Sequence, residues 1–511
     1  MPFTFTGGNL IVRRSCSNAT ADVIIASTSA TVTGGTFQVG DASTPASQVI
    51  RVNSAAPLYN FTINATNNPE ASLITNGLTV NGNLNILGGT LRANSLAVTA
   101  KGNWTNNGNF IPGTSTVTFS GTTAQTISGT AVTNFNNLVM NNAAGLTQSG
   151  VDMNVGGALT LTSGLISNGA NLLIFADNAT VTGASNTAHV SGQVRKVGND
   201  AFTFPVGNGG FYAPISMTAP GSTTDHFTAS YSHSDPDPLY SRSLVQAPVV
   251  RVSSAEYWTL NRTNGSSTPS VTLSWDDVRA SGVSAPTDLT VARWNGSIWT
   301  SEGNTGTTGG TTAGTITSIP VTSFSPFTLG TVNGTVNNFP ITLISFTATP
   351  VGRLVKLDWA TSSETDNDYF TVERSRDAIT WEDQSHVDGA GNASSRRDYA
   401  TVDPMPHEGL SYYRLRSTDF DGMHRYSEIR AVQFTPSAEL LIFPNPADHT
   451  LYISSGEDFY MVQVRDLTGR LISESWNNTS LDTRTWVAGA YFVTVSSGNQ
   501  IATRRVLISH Q

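Results

Sequence analysis

The first third of the sequence alternates short apolar segments with turns rich in Asn and Gly. In LTVNGNLNILGGTL (78–91), aliphatic side chains recur at every second position, and Thr or Asn occupies most positions between them. Side chains at every second position of a strand lie on one face, so this pattern predicts half-buried strands. No window of about a dozen residues has the apolar spacing of three and four that is typical of a helix. The chain is therefore expected to be all-β.

Residues 1–188 are also repetitive. The segment 78–91 aligns with MNVGGALTLTSGLI (153–166), which places Leu84 on Leu159, 75 residues further along the chain. Units that bury one face only by stacking on their neighbours form solenoids. We predict a β-solenoid similar to a right-handed parallel β-helix, in which inward Asn and Thr side chains form ladders along the stack. A string of small sandwiches is the alternative.

The pattern changes near residue 190, where aromatic and charged residues become more frequent. We interpret 189–336 as a β-sandwich-like module and 337–436 as a second sandwich of short alternating strands with regular turn signals. Trp359 lies on an early strand of this second sandwich. The stretch WATSSETDNDYFTVERS (359–375) resembles the fibronectin type III-like domain that accompanies sorting domains in secreted Bacteroidota proteins.

Charge and hydropathy restrict the classes of partner. The formal net charge is −9, and only three basic residues are lysines, namely Lys101, Lys196 and Lys356. Nucleic-acid binding requires a basic face, so a nucleic-acid partner is excluded. No stretch approaches 18 consecutive apolar residues, so no transmembrane helix is expected. The start of the sequence lacks the basic and apolar regions of a signal peptide, and we expect a mature form or a fragment.

Four motifs follow one another within residues 437–511. They are LIFPNPADHTLYI, VQVRDLTGRLI, LDTRTWVAGAYFVTV and ATRRVLI. Together they resemble the type A C-terminal sorting domain of the type IX secretion system of Bacteroidota. The matching residues are Pro444, Asn445, Pro446, Asp466, Gly469, Arg470, Leu481, Gly489, Tyr491, Arg504 and Arg505. The family often has Lys near the last pair, so Arg at both positions is a departure that retains the charge.

The resemblance implies a small β-sandwich and an exported protein. Such a domain is handled by an outer-membrane translocon and its sortase-like machinery, is cut off, and is often replaced by a lipopolysaccharide anchor. The expected location is therefore secreted or attached to the outer-membrane surface. Arg504 and Arg505 lie on the last strand and have two interpretations. In the first, their charges prevent an exposed sheet edge from pairing with other strands. In the second, they take part in recognition of that edge by the export machinery, and the surrounding motifs favour this interpretation.

Candidate catalytic residues are few. The eight His residues are scattered without an HExxH motif, and neither a GxSxG elbow nor a phosphate-binding loop occurs. Polysaccharide cleavage requires paired carboxylates, whereas the carboxylates of 1–188 are far apart in sequence: Asp22, Asp41, Glu70, Asp152 and Asp177. Cys16 follows two Arg residues that could lower the pKa of a thiol, but no partner base is identifiable. We expect a small buried or inert Cys and no catalytic site.

A Trp pair is a candidate for glycan contact. In ARWNGSIW, Asn295-Gly296 predicts a two-residue hairpin turn, which pairs Ala292 with Trp299 and places Trp294 on the same face as Trp299. An exposed pair would stack on sugar rings. A buried pair would belong to the core of the module, which the general burial of Trp favours.

Two acidic segments are weak candidates for Ca²⁺ binding through carboxylates and main-chain carbonyls, although acidic loops are more often solvated. The candidate ligands are Glu364, Asp366 and Asp368 in SSETDND and Asp235 and Asp237 in HSDPDP. No other metal and no organic cofactor is expected.

The leading hypothesis is an exported, non-catalytic surface protein, adhesin-like or stalk-like, that makes weak multivalent contacts with glycans or other surfaces. The first alternative is a carbohydrate-active enzyme, a polysaccharide lyase or glycosidase, whose catalytic part is the solenoid or lies upstream of residue 1. The second alternative is a structural spacer.

Overall fold

The computed structural model describes residues 2–510 except 17–19, 65, 325, 335, 338, 340–341, 394–395, 421, 423, 436–440, 456–459 and 498–499. Within strands, it leaves out the side chains at 342, 344, 362–363, 365–366, 392, 419, 425 and 500. The chain divides into two compact units, 1–340 and 341–511. Nearly all regular structure is β-strand, accompanied by the 3-10 turns Asp277–Arg279 and Pro286–Asp288. The all-β prediction is confirmed.

The first unit begins with a β-helix of about eight coils, whose strands form three parallel faces. Face 1 consists of Leu78–Val80, Val98–Ala100, Thr116–Phe119, Asn137–Asn141, Ala158–Ser163 and Thr180–Thr182. Face 2 consists of Phe3–Val12, Ala30–Val39, Asn60–Ile63, Leu84–Ile86, Trp104–Asn106, Gln125–Gly129, Leu146–Gln148 and the start of Ile166–Phe175. Face 3 consists of Val23–Ile25, Val49–Ser54, Glu70–Leu73, Thr90–Arg92 and Asn109–Ile111, then Thr133–Phe135, Met153–Val155 and the end of Ile166–Phe175. The predicted solenoid is confirmed.

The repeating unit is a single coil. Phe61, Leu84, Trp104 and Ile127 lie opposite one another on face 2, at separations of 23, 20 and 23 residues. The 75-residue alignment is wrong as a structural equivalence, because Leu84 lies on face 2 and Leu159 on face 1. Segments from different faces resemble each other because each contributes a few alternating buried residues followed by a polar corner.

Asn side chains form a ladder along one corner of the β-helix. The main-chain N–H of Asn83 donates to Asn60 Oδ1 (2.9 Å), that of Asn103 to Asn83 Oδ1 (3.0 Å), and that of Thr126 to Asn103 Oδ1 (2.8 Å). Each side chain therefore satisfies a main-chain donor of the next coil. The predicted ladder exists, but Asn83 and Asn103 are exposed at the corner and do not point inward.

Inward Asn side chains serve a second role at other corners. Asn106, Asn142 and Asn168 are fully buried. The side chain of Asn106 donates to Thr133 Oγ1 (3.1 Å), and that of Asn168 donates to the carbonyl of Gln193 (2.6 Å). These bonds satisfy polar groups that the coil geometry takes away from water.

The last coil continues directly into antiparallel structure. Val190–Val197 pairs in parallel with Ile166–Phe175 on one edge and antiparallel with His226–Ser232 on the other. The same sheet contains Val206–Asn208, Phe211–Tyr212, Arg251–Val252, Tyr257–Asn264, Leu289–Trp294, Trp299–Ser301 and Phe327–Thr331. A second sheet contains Phe202–Phe204, Ile215–Met217, Ser270–Asp276, Gly306–Gly309 and Ala313–Pro320. Buried residues of both sheets and of the β-helix form one continuous hydrophobic core.

His189 lies at this transition and is completely buried. Its Nδ1 lies 3.1 Å from the carbonyl oxygen of Ser185, which assigns the proton to Nδ1. Its Nε2 is buried without a hydrogen-bond partner among the described residues. Burial lowers the pKa of His189 below its ordinary value of 6.5, since a charged imidazole would be desolvated there.

This burial predicts an acid-sensitive first unit. The unfolded chain binds a proton at position 189 near pH 6.5 and the folded chain does not, so stability is complete above pH 6.5 and falls as the pH decreases. The slope from this group is at most about 1.4 kcal/mol per pH unit. We expect His189→Gln to flatten the decline in the melting temperature of the full chain between pH 7.5 and 5. His226→Gln, on a partly exposed strand position, should retain the decline; equal slopes in both variants would contradict the assignment.

The second unit starts with an antiparallel sandwich in which one strand, Leu354–Ser375, belongs to two sheets. The first half of this strand pairs with Thr342–Val351 and Arg397–Asp403, and the second half pairs with Glu382–Ala393 and Gly409–Asp419. His424–Tyr426 and Arg430–Phe434 complete it. Trp359 is 2% exposed and belongs to the core of this sandwich. The likeness to a fibronectin type III domain stays a prediction.

Candidate functional site

Residues 441–509 form two small antiparallel sheets. One contains Leu441–Phe443, Thr450–Ser454 and Ser480–Asp482, and the other contains Leu471–Trp476, Met461–Asp466, Gly489–Ser497 and Gln500–Ile508 in spatial order. Buried side chains from both sheets form a separate core; among them are Leu451, Ile453, Val464, Leu481, Tyr491, Val493 and Val506. The predicted small sandwich is therefore confirmed in architecture.

The Pro444–Asn445–Pro446 motif contacts the last strand. Asn445 Nδ2 donates to the carbonyl of Arg505 (3.1 Å), and the N–H of Leu507 donates to Asn445 Oδ1 (2.9 Å). Ala447 continues this contact: its N–H donates to the carbonyl of Leu507, and its carbonyl accepts the N–H of Ser509. The amide of Asn445 thus replaces a neighbouring strand over part of the edge, which links the first and last motifs of the domain.

Asp466 and Gly469 form the predicted turn before Arg470. The carboxylate of Asp466 accepts hydrogen bonds from Thr468 Oγ1 (2.6 Å), the N–H of Thr468 (2.9 Å) and the N–H of Arg470 (3.1 Å). The hydrogen bond from Thr468 is the main cause that holds the pKa of Asp466 below its ordinary value. Gly469 has φ +84°, a left-handed conformation that favours glycine.

Tyr491 fixes the strand that Gly489 begins. Its ring is 6% exposed and packs against Trp486 at 5.1 Å between ring centroids, while its hydroxyl donates to the carbonyl of Val487 (2.7 Å). Tyr491 is therefore a core residue of the domain with a satisfied polar tip.

Arg504 and Arg505 lie on Gln500–Ile508, the edge strand of the four-stranded sheet. Both are exposed and point to opposite sides, Arg504 opposite Val493 and Arg505 opposite Phe492. Arg504 Nη1 donates to the carbonyl of Thr503 (3.3 Å). The predicted edge position is confirmed, and Asn445 binds the main chain of this edge strand at Arg505 and Leu507.

The Trp hairpin has a different register from the predicted one. Trp294 pairs directly with Trp299, because four residues and not two form the loop. The side-chain oxygen of Asn295 accepts the N–H groups of Ser297 and Ile298, both at 3.0 Å, and this local turn competes with the two-residue hairpin turn. The rings share one face, with their centroids 5.6 Å apart and their planes inclined at 65°.

Burial of this pair favours the core interpretation. Trp299 is fully buried in a cluster with Val249, Val252 and Ala292, and its indole N–H donates to the carbonyl of Tyr240 (3.2 Å). Trp299 therefore offers no ring face to a sugar. Trp294 is half-buried.

The carboxylates proposed for Ca²⁺ largely have partners within the protein. Asp235 pairs with Arg242 at 2.8 Å, and Asp237 accepts the main-chain N–H of Arg242. Glu364 is 2% exposed and accepts hydrogen bonds from four groups, on Thr361, Asn367, Ala390 and Tyr399. Asp368 is half-buried, and the side chain of Asp366 lies outside the described residues. No cluster of three metal-ligating side chains occurs in the described part of the chain.

The five carboxylates of the β-helix connect neighbouring coils. Three pair with Arg side chains: Asp22 with Arg51 (3.0 Å), Asp41 with Arg13 (2.6 Å) and Glu70 with Arg92 (2.7 Å). Two accept main-chain N–H groups: Asp152 from Leu172 (2.8 Å) and Asp177 from Asn199 (3.0 Å). Of the two expectations for Cys16, burial was wrong: the residue is exposed and forms no disulfide, and its Sγ lies 3.6 Å from the carbonyl oxygen of Ala21 and 3.9 Å from Arg51 Nη2. The expectation of an inert thiol stays a prediction.

The sequence did not indicate a cavity of about 260 Å³ in the second unit, at the hairpin that joins Leu354–Ser375 to Glu382–Ala393. Trp381, Glu382, Arg374, Arg376 and His407 line it. Trp381 and Glu382 are adjacent in the segment WED, and Arg374 and Arg376 precede them, but residues at these spacings form no recognised motif. His407 comes from another loop, so this set of side chains becomes apparent only in the folded structure.

Comparison with known proteins agrees with the geometry of the last domain. Residues 441–509 match the family described as the secretion system C-terminal sorting domain. No curated protein sequence matches the chain. No helix of the described residues has the length and apolar character needed to cross a membrane.

Two solved structures are distantly similar. Dimeric latent PorU from Porphyromonas gingivalis matches with 12% identity over 63% of this chain and 30% of that chain, at a TM-score of 0.19. A beta-1,2-glucanase from Parabacteroides distasonis matches with 13% identity over 48% of this chain and 37% of that chain, at a TM-score of 0.14. The matches thus span about a third of each of those chains. Residues 441–509 form a C-terminal sorting domain of the type IX secretion system, and the chain is an exported protein, secreted or attached to the cell surface once that domain is removed.

Proposed function

We propose that the β-helix and the sandwiches are the delivered part of a non-catalytic surface protein, adhesin-like or stalk-like, that contacts glycans or other surfaces. The sorting domain is the signal for export. The β-helix supplies a repetitive surface, and charged residues make up only 12% of the chain. Weak contacts repeated along such a surface add up to a high avidity.

The pairing of the β-helix carboxylates carries the non-catalytic part of this proposal. Hydrolysis of a glycosidic bond uses two carboxyl groups that face one substrate at about 5–10 Å. All five carboxylates of residues 1–188 are engaged with Arg side chains or main-chain N–H groups of other coils. They act as connections between coils, which is a structural use.

Face 1 supports the surface-contact part. Its outward row consists of Thr79, Thr99, Thr118, Val139, Thr160 and Thr182, each opposite the next in successive coils. Strand spacing places these side chains about 4.8 Å apart. The row therefore repeats uncharged hydroxyl and methyl groups at the spacing of the coils, which suits weak contacts with an uncharged polymer.

An array of polysaccharides and host glycans, probed with the full chain with and without Ca²⁺, tests the proposal. The same wells are assayed for released sugar. We expect saturable binding without product. Released sugar would overturn the non-catalytic assignment, and Glu70→Gln and Asp152→Asn would then show whether β-helix carboxylates are responsible. Absence of both binding and product would favour a structural spacer.

A further inference from the structure

The hairpin cavity in the second unit has the features of a sugar-binding site. We propose that the cavity lined by Trp381, Glu382 and Arg376 binds one neutral sugar ring, with Trp381 as the stacking surface. This inference rests on the proposed glycan contact and names a site for it. Neither the sorting domain nor the β-helix contributes to the cavity.

The indole of Trp381 is held in one orientation. The guanidinium carbon of Arg414 lies 4.1 Å from the centroid of the Trp381 ring and 3.9 Å from that of Tyr426, so Arg414 is stacked between the two rings. Arg414 Nε also donates to the carboxylate of Glu373 (2.6 Å), which is 4% exposed. Cation–π contacts of a guanidinium are strengthened by such burial. A ligand in the cavity therefore meets the part of the indole that Arg414 leaves uncovered.

The turn that precedes Trp381 is fixed as well. The carboxylate of Asp377 accepts the N–H groups of Thr380 (2.8 Å) and Ile379 (2.9 Å) and the hydroxyl of Thr380 (2.8 Å). The main-chain hydrogen bond from Thr380 is the largest cause that keeps the pKa of Asp377 below its ordinary value. A site with a preorganised wall loses less entropy when it binds a ligand.

Polar groups with free hydrogen-bonding capacity surround the indole. Glu382 Oε1 accepts from Arg374 Nε (2.9 Å) and His407 Nε2 (2.8 Å), whereas Glu382 Oε2 has no partner among the described residues. In that same part of the chain, neither the indole N–H of Trp381 nor the guanidinium of the exposed Arg376 has a partner. A sugar ring presents an apolar C–H face to an aromatic ring and hydroxyls at its rim to donors and acceptors of this kind.

Size and charge narrow the ligand class. The cavity of about 260 Å³ is smaller than the roughly 300–1,000 Å³ of sites for drug-sized ligands, so it holds a single ring at the end or branch of a glycan. Arg374 is already paired with Glu382 and Asp403, so the remaining groups offer an acidic sugar one attraction, from the guanidinium of Arg376, and one repulsion, from the second oxygen of Glu382. A neutral sugar needs no net charge in its site and is therefore the ligand class that the proposal names.

Saturation-transfer NMR on the full chain tests the site, with glucose, galactose, mannose and N-acetylglucosamine as neutral probes and glucuronate and N-acetylneuraminate as acidic ones. We expect saturable binding of at least one neutral sugar. Trp381→Ala should raise its Kd about tenfold or more, since it removes the stacking surface. Arg376→Ala should raise the Kd several-fold, and its exposed position keeps the fold intact.

Trp476→Ala is the matched control, because Trp476 is 56% exposed and lies outside the cavity. Circular dichroism of Trp381→Ala checks that the sandwich remains folded. Unchanged affinity in Trp381→Ala and Arg376→Ala, or binding of acidic sugars only, would overturn the site. If the chain binds glycans on the array while both variants bind as the wild type does, the site fails and the proposed function stands. If the wild type binds neither the monosaccharides nor the array, both fail.

Discussion

Replacing Trp104 with alanine should lower the free energy of unfolding of the β-helix by about 3–5 kcal/mol, the usual cost of removing a large aromatic side chain from a core. Trp104 is fully buried. Its ring centroid lies 5.1 Å from that of Phe110, 6.1 Å from that of Phe119 and 5.9 Å from that of Phe135. Phe110 and Phe135 lie on face 3, Phe119 on face 1 and Trp104 on face 2. The substitution therefore opens a cavity among all three faces.

The rigidity of the stack explains why this cavity would not close. Trp104 lies opposite Leu84 in one neighbouring coil and Ile127 in the other. Parallel pairing on both sides keeps the main chain in place, and a site that cannot collapse shows the upper part of the range of cavity costs.

Urea unfolding of the full chain measures the effect, with peptide-level hydrogen exchange to assign the transition to the β-helix. Trp104→Phe should lose much less stability, since the indole N–H has no hydrogen-bond partner among the described residues and the phenyl ring keeps most of the packing. Thr105→Ala changes the next, outward-facing residue and should stay within about 0.5 kcal/mol. An unchanged urea midpoint and unchanged exchange in Trp104→Ala would contradict a continuous core through the coils.

The sequence predicted the strands but not how they stack. Alternation at 78–91 identified the buried positions correctly: Leu78, Val80, Leu84 and Ile86 are all at most 2% exposed. It could not assign them to faces, because each face needs only three or four alternating residues and the spacing between coils varies. Parallel hydrogen bonding between coils decides which strands are neighbours. Because the number of residues per coil varies, these pairings produce no fixed repeat length in the sequence.

The functional residues likewise divide into those whose structure depends on local sequence and those that the fold brings together. The sorting motifs were readable because the family carries them in a fixed order, and Asp466 and Gly469 form a turn from local hydrogen bonds alone. The register of the Trp hairpin was wrong because the side chain of Asn295 closes a different turn. The hairpin cavity was missed because Trp381 and Arg414 are brought together across strands.

Replacing both Arg504 and Arg505 with alanine should reduce secretion of the chain about tenfold or more, while the sorting domain stays folded. Both side chains are exposed on the edge strand, so their loss should change stability by no more than about 0.5 kcal/mol. If the export machinery reads this edge, two lost charge contacts of about 1 kcal/mol each account for at least a tenfold loss of affinity.

Asn445→Ala separates recognition from folding. It removes the two side-chain hydrogen bonds to the edge, to the carbonyl of Arg505 and from the N–H of Leu507, and keeps the main-chain contacts of Ala447. It should destabilise the domain by about 1–3 kcal/mol while leaving both Arg side chains in place. The variant with Lys at positions 504 and 505 retains the charges and should be secreted like the wild type.

Immunoblots of medium, cell surface and periplasm from a type IX-secreting host measure secretion, and the melting temperature of each purified variant measures folding. Normal secretion of the double alanine variant would mean that Arg504 and Arg505 only prevent the sheet edge from pairing with other strands. Loss of secretion without loss of folding would mean that the edge itself is recognised.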